Sequence, residues 1–118
     1  GFLSGKYRKG DDPVEGTRFT LGTAARRYQQ RYWDDAQFDA AEMIRAVADA
    51  HGTSMAPLSV AWVIAQPGVT SAIVGASRPE HLDAALLAPQ IDTTPELREA
   101  LDAPWWTLPR RRVWEGYR

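Results

Sequence analysis

A short apolar segment from Val69 to Val74 constrains the fold more than any other feature of this sequence. It contains several β-branched residues and is apolar on both faces, which is typical of a strand buried in a parallel sheet. Helical patterns surround it, so the sequence predicts an α/β fold. One strand cannot form a sheet, because its backbone groups need partners on both sides. We therefore expect the end of an α/β domain whose other strands lie elsewhere.

The residues directly after this segment favour an anion site. Gly75 permits close approach of a ligand to the backbone, Ser77 offers a hydroxyl group, and Arg78 offers a forked cation suited to phosphate. Ser77 and Glu80 match a capping box, so the N-terminus of the next helix would face the same place. His81 lies one turn into that helix, where it either reaches the anion or lies on the surface. The alternative is a well-capped helix that binds nothing.

Residues 1–33 show little periodicity and many turn-forming residues, which predicts a long loop. Near its start, two glycines flank Ser4, and Lys6 follows Gly5, so backbone amides and a lysine charge are available for a pyrophosphate. Arg18 would clamp an anion from the far side of the loop. The alternatives are an ordinary surface turn for the first segment and a solvated side chain for the arginine.

Four helices are predicted after this loop. Asp34 or Asp35 caps the first, the second begins after Ser54, the third comes after the glycine-containing turn, and Thr94 opens the fourth through about Ala103. Pro104 and Pro109 are expected to break any helix beyond that point. The side chains expected to face inward are Phe38, Ala41, Ile44, Val47, Ala48, Leu58, Ala61, Trp62, Ala65, Leu82, Ala85 and Leu86.

Composition excludes several classes of protein. With 118 residues, 44% of them hydrophobic and 25% charged, the chain is neither disordered nor membrane-spanning. It has no cysteine and two distant histidines, which leaves no set of metal ligands. The net charge of −1 argues against general nucleic-acid binding, and a helix-turn-helix at residues 37–66 would lack basic side chains on its second helix. A cytoplasmic location fits these features and the lack of a signal-peptide pattern.

Together these segments resemble the C-terminal part of an aldo-keto reductase, in the branch that includes the potassium-channel β-subunits and their bacterial relatives. The resemblance rests on residues 1–7, 16–18 and 58–78, in that order and spacing. It implies a (β/α)8 barrel, a TIM barrel, of which residues 1–118 belong to one domain. They would supply the loop after strand seven, helix seven, strand eight, helix eight and a C-terminal helix with its tail.

The resemblance also implies the chemistry. The whole protein would be an oxidoreductase that transfers hydride between NADP(H) and a small carbonyl or alcohol substrate. The alternative is a regulatory partner subunit that keeps the cofactor without turnover. Trp105, Trp106 and Trp114 would line the substrate rim, or else pack against the outside of the barrel.

The same resemblance implies the cofactor roles. Ser4, Gly5 and Lys6 would lie along the path of the cofactor phosphates, and Arg18 would come from the loop that folds over them. Gly75 and Ser77, with Arg78 and His81 beside them, would lie at the adenosine 2′-phosphate end.

The chain departs from the family pattern in two places. It has Ala84 and Ala85 where the family typically has glutamate and asparagine, which predicts weaker adenine binding and a changed preference between NADP and NAD unless Arg78 compensates. The catalytic Asp, Tyr, Lys and His of the family come from earlier strands, and the only two lysines here, Lys6 and Lys9, belong to the cofactor loop. We therefore nominate no catalytic residue and expect this chain alone to be inactive without the N-terminal part of the barrel.

Overall fold

The structure is a computed structural model that describes residues 1–76 and 78–110. The α-helices are α1 (Ala25–Tyr32), α2 (Asp35–Ala50), α3 (Met55–Ile64), α4 (Pro79–Leu86) and α5 (Pro95–Thr107), with short 3-10 helices at Phe2–Ser4 and Ala88–Gln90. No β-strand occurs in the two described ranges. Of the helices described, none combines the length and apolar character that crossing a membrane requires.

Capping side chains fix the starts of two predicted helices. Asp34 accepts a hydrogen bond from the Gln37 amide at 3.2 Å, which confirms the predicted start of α2. Thr94 does the same for the amide of Leu97 at 3.2 Å at the start of α5. The predicted break at Pro104 is wrong, because α5 continues through it. This proline lies near the end of the helix, where its missing N–H removes one hydrogen bond and its ring is buried.

The main hydrophobic core lies between α2, α3 and α5. Leu58 of α3 is fully buried at its centre, and its neighbours come from all three helices. The buried members of this core are Ala41, Ile44, Ala48, Met55, Leu58, Leu97 and Leu101. The predicted inward faces of α2 and α3 are confirmed for Phe38, Ala41, Ile44, Ala48, Leu58 and Ala61.

A second, aromatic cluster ties the first 20 residues to α2. The rings of Tyr7 and Phe19 are buried against Phe38, with centroids of Tyr7 and Phe19 5.1 Å apart. Trp33 completes the cluster at 4.7 Å from the Phe19 ring. The prediction of one long loop over residues 1–33 is wrong in part, because α1 forms within it. The sequence of α1 is mostly polar, and its two tyrosines at four-residue spacing form an apolar stripe too narrow to predict a helix.

The predicted strand from Val69 to Val74 does not form. This segment has no regular secondary structure, and the side chain of Ile73 is fully exposed at 101%. The physical reason is that a strand needs neighbouring strands for its backbone groups, and the described residues supply none.

Helix α4 also differs from its prediction. Its N-cap is Arg78 instead of Ser77, which lies outside the described residues, and no side-chain capping bond is made there. Leu82 and Leu86, predicted to face inward, are 44% and 61% exposed, whereas Ala85 is buried. The described part of the chain has no surface that packs over these two leucines.

Candidate functional site

Residues 1–7 form a turn that packs against α2 and α3. The Ser59 hydroxyl of α3 donates to the Leu3 carbonyl at 3.2 Å, and Arg45 of α2 donates to the Gly5 carbonyl at 3.1 Å. Within the turn, the Ser4 hydroxyl donates to the Gly1 carbonyl at 2.8 Å. Gly5 has φ +83°, a left-handed conformation that glycine adopts without strain. These hydrogen bonds hold the turn against α2 and α3.

Lys6 and Arg18 each directly precede a buried ring of the aromatic cluster, Tyr7 and Phe19, so both cations are attached to the same cluster. Both side chains are exposed. An exposed pair of cations beside a backbone turn suits a phosphorylated ligand.

Buried aromatic residues hold these two cations in place. Tyr7, which follows Lys6 in the chain, and Phe19, which follows Arg18, are 5% and 4% exposed and contact each other edge to face. The Lys6 ammonium also lies 5.0 Å from the centroid of the Tyr7 ring, and the Arg18 guanidinium lies 6.0 Å from that of Tyr28. Contact between the two buried rings brings together loop segments that are distant in sequence.

The second predicted group lies around the start of α4. Gly75, Arg78 and His81 are all exposed, and Ser77 lies outside the described residues. Helix α4 packs on α3, and the turn at Phe2–Ser4 also packs on α3. The two groups of candidate residues are thus connected through one helix.

An apolar cleft lies beside the N-terminal turn. It has a volume of about 600 Å³, and its walls include Phe2, Leu3, Trp105 and Trp106. Both tryptophans are strongly exposed. Trp114 lies outside the described residues, as do all of residues 111–118, so the predicted substrate rim stays a prediction.

Sequence reasoning missed the residues that fix the N-terminal turn. Arg45 donates through Nε to the Glu42 carboxylate at 3.1 Å, and Arg8 reaches the same carboxylate at 3.2 Å. Lys9 donates to Asp39 at 2.6 Å, and this hydrogen bond raises the pKa of Lys9. The spacing of Glu42 and Arg45 on a helix is a visible signal, but their partners in the turn are more than 30 positions away.

The described residues offer no alternative metal chemistry. No group of three or more histidine, cysteine, aspartate or glutamate side chains in residues 1–76 and 78–110 is arranged to hold a metal ion.

Comparison with known proteins gives a consistent result. The sequence profile of the aldo/keto reductase family matches residues 1–103. The chain is 31% identical over its whole length to a probable voltage-gated potassium channel subunit beta of Oryza sativa subsp. japonica, and covers 35% of that protein. It is 30% identical over 70% of its length to the L-glyceraldehyde 3-phosphate reductase of Escherichia coli K12, and covers 24% of it. An aldo-keto reductase of Pseudocercospora fijiensis is 26% identical over 89% of this chain, which covers 38% of that protein. The chain thus spans between 24% and 38% of the length of these relatives.

Proposed function

The chain belongs to the aldo/keto reductase family, and on that premise we propose that it forms the closing portion of a (β/α)8 barrel. Residues 1–33 would form the loop after strand seven of the barrel, and α2 and α3 would correspond to helix seven. Residues 69–74 would form strand eight, and α4 would correspond to helix eight. Helix α5 and the tail would complete one domain over residues 1–118. The exposed apolar side chains of Ile73, Leu82 and Leu86 support this assignment, because strand and helix faces in a barrel are covered by neighbours.

The proposed activity is hydride transfer between NADP(H) and a small carbonyl or alcohol substrate. The observation that supports it is the contact between the buried rings of Tyr7 and Phe19, 5.1 Å apart, since Lys6 and Arg18 directly precede these two residues. The charges of these cations and the backbone amides near Ser4 and Gly5 suit a pyrophosphate. When bound, the nicotinamide supplies or accepts the hydride. The proton donor and its partners would come from the part of the barrel outside this chain.

A second set of residues would hold the adenosine end of the cofactor. Gly75, Ser77 and Arg78 follow the proposed strand eight, and ligands of α/β barrels bind at the carboxyl ends of strands. His81 would face the same anion from the first turn of α4. Alanines at positions 84 and 85 give no polar contact to adenine, so Arg78 would carry most of the preference for a 2′-phosphate.

A fluorescence titration with NADPH tests the phosphate site. The intact protein that carries this chain is compared with Lys6→Ala and Arg18→Ala. Each variant should raise the dissociation constant by roughly ten- to a hundredfold, since a hydrogen bond to a charged group contributes about 1.5–3 kcal/mol. Arg26→Ala, which removes an exposed arginine of α1, is the matched control and should leave the affinity unchanged. Unchanged affinity in both test variants would refute the proposed site.

The alternative is a partner subunit that holds the cofactor without turnover. The similarity to the rice protein named as a channel subunit beta favours it. Steady-state oxidation of NADPH by the intact protein with a panel of aldehydes distinguishes the two functions. Binding of NADPH without turnover of any aldehyde would favour the partner subunit. The 118-residue chain alone should show no turnover in either case, and turnover by it would contradict the assignment to part of a barrel.

A further inference from the structure

Arg45 holds the backbone at the point where the proposed phosphate loop turns. Its Nη2 donates to the Gly5 carbonyl at 3.1 Å across 40 positions of sequence. A Cβ atom added to Gly5 would meet Arg45 Nη1 at 3.2 Å and the Met55 sulfur at 3.1 Å. The guanidinium therefore lies directly against this glycine, and its side chain is only 17% exposed.

This contact fixes the direction of the next backbone amide. No cis peptide bond occurs in the described residues, so the bond between Gly5 and Lys6 is trans. In a trans peptide, the carbonyl oxygen and the following N–H point in opposite directions. Because the Gly5 oxygen points at α2, the Lys6 N–H points away from α2. This N–H donates no hydrogen bond to another described residue, so it is available to a ligand.

Arg45 also pairs with the Glu42 carboxylate, which Arg8 shares. Its Nε donates to both oxygens of Glu42, at 3.2 and 3.1 Å. The Nε–H of the guanidinium thus binds Glu42, while an N–H of Nη2 binds the Gly5 carbonyl. A planar fork satisfies both partners at fixed angles, whereas a lysine ammonium is a compact point charge on a flexible stem.

We propose that Arg45 is a positioning residue for the cofactor phosphates: it orients the Gly5–Lys6 peptide so that the Lys6 N–H faces the pyrophosphate. This inference rests on the proposed NADP(H) site. In this arrangement Arg45 acts through the Gly5 carbonyl and not by contact with the cofactor. Its role depends on the shape of the guanidinium more than on its charge.

The test replaces Arg45 by lysine in the intact protein, which keeps the charge and removes the fork. NADPH should bind about three- to tenfold more weakly, the range that loss of one oriented hydrogen bond gives. The KM for NADPH should rise by the same factor, while kcat at saturating NADPH stays unchanged. A purely structural role would lower the amount of folded protein without changing the dissociation constant of the folded fraction. Arg26→Lys is the matched control and should bind as the wild type.

Two further variants make each outcome decisive. If Arg45→Lys binds NADPH like the wild type, the positioning role is wrong. Arg45→Gln, which removes the charge as well, is measured beside it. Weak binding by Arg45→Gln together with normal binding by Arg45→Lys would show that only the charge matters, and this also contradicts the positioning role. If Arg45→Lys does not fold, Glu42→Gln replaces it, and this variant should weaken NADPH binding in the same direction by loosening the guanidinium. Lys6→Ala is measured in parallel. When Lys6→Ala weakens binding and the Arg45 and Glu42 variants do not, only this inference fails. When Lys6→Ala and Arg18→Ala also have no effect, the proposed function itself fails.

Discussion

The hydrogen bond between Trp62 and Asp102 supports a quantitative test of how α3 and α5 are joined. The indole N–H donates to the carboxylate at 2.7 Å, and both side chains are half-buried. A hydrogen bond to a charged group contributes about 1.5–3 kcal/mol to stability when it is well buried. Because water replaces part of this bond at a half-buried position, we expect a coupling of about 1–2 kcal/mol between the two side chains.

A double-mutant cycle measures this coupling directly. Trp62→Phe removes the donor but keeps an aromatic ring, Asp102→Ala removes the acceptor, and the pair gives the interaction free energy. The free energy of unfolding is measured by urea denaturation of the intact protein, followed by far-UV circular dichroism. Trp105→Phe, at a 70% exposed tryptophan of α5, is the matched control and should change stability by less than about 0.5 kcal/mol. A coupling near zero would show that the bond does not hold the two helices together.

Two further predictions concern the core and the start of α5. Leu58→Ala should lower the free energy of unfolding by about 2–5 kcal/mol, because it opens a cavity at a fully buried position. Val14→Ala, in an exposed loop, is the control. Equal decreases in the free energy of unfolding for the two variants would contradict the observed packing of Leu58. The pKa of Glu96 is lowered, first by a hydrogen bond from its own backbone N–H and then by one from the Thr94 hydroxyl. The charged carboxylate therefore stabilises the fold at neutral pH, and this contribution is lost as the pH falls through the lowered pKa. Wild type should be more stable than Glu96→Gln at neutral pH, and the difference in urea midpoint should vanish in acid; a difference that persists there would refute this cause.

Local patterns in the sequence were sufficient to predict most of the helical core. The apolar spacing in α2 and α3 and the capping residues Asp34 and Thr94 were correct, because each helix forms its hydrogen bonds within its own segment. Helix α1 was missed since its sequence has no wide apolar stripe. Its position depends on tertiary contacts, such as the hydrogen bond from the Gln29 amide to the Phe19 carbonyl at 2.6 Å.

The candidate site was predictable in its residue types but not in its supports. Lysine, arginine and glycine in the first loop predict an anion site from their chemistry, and this site stays a prediction. The pairing of Arg45 with Gly5, and of Tyr7 with Phe19, joins segments separated in sequence. Such contacts leave no signal in local periodicity, because they arise only once α2 and the aromatic cluster bring the segments together.

The segment from Val69 to Val74 illustrates the difference between helices, which form from local sequence, and strands, which also need other segments of the protein. A helix satisfies its backbone by bonds four residues apart, whereas each edge of a strand needs another segment. The apolar pattern that predicted a strand therefore remains as exposed surface, with Ile73 uncovered and Leu82 and Leu86 of α4 beside it in sequence. Exposed apolar residues of this number cost free energy in water unless a partner surface covers them. The sequence of this region is thus consistent with a buried strand and its covering helix when further strands are present, and this is the physical argument behind the proposal that the chain forms part of a barrel.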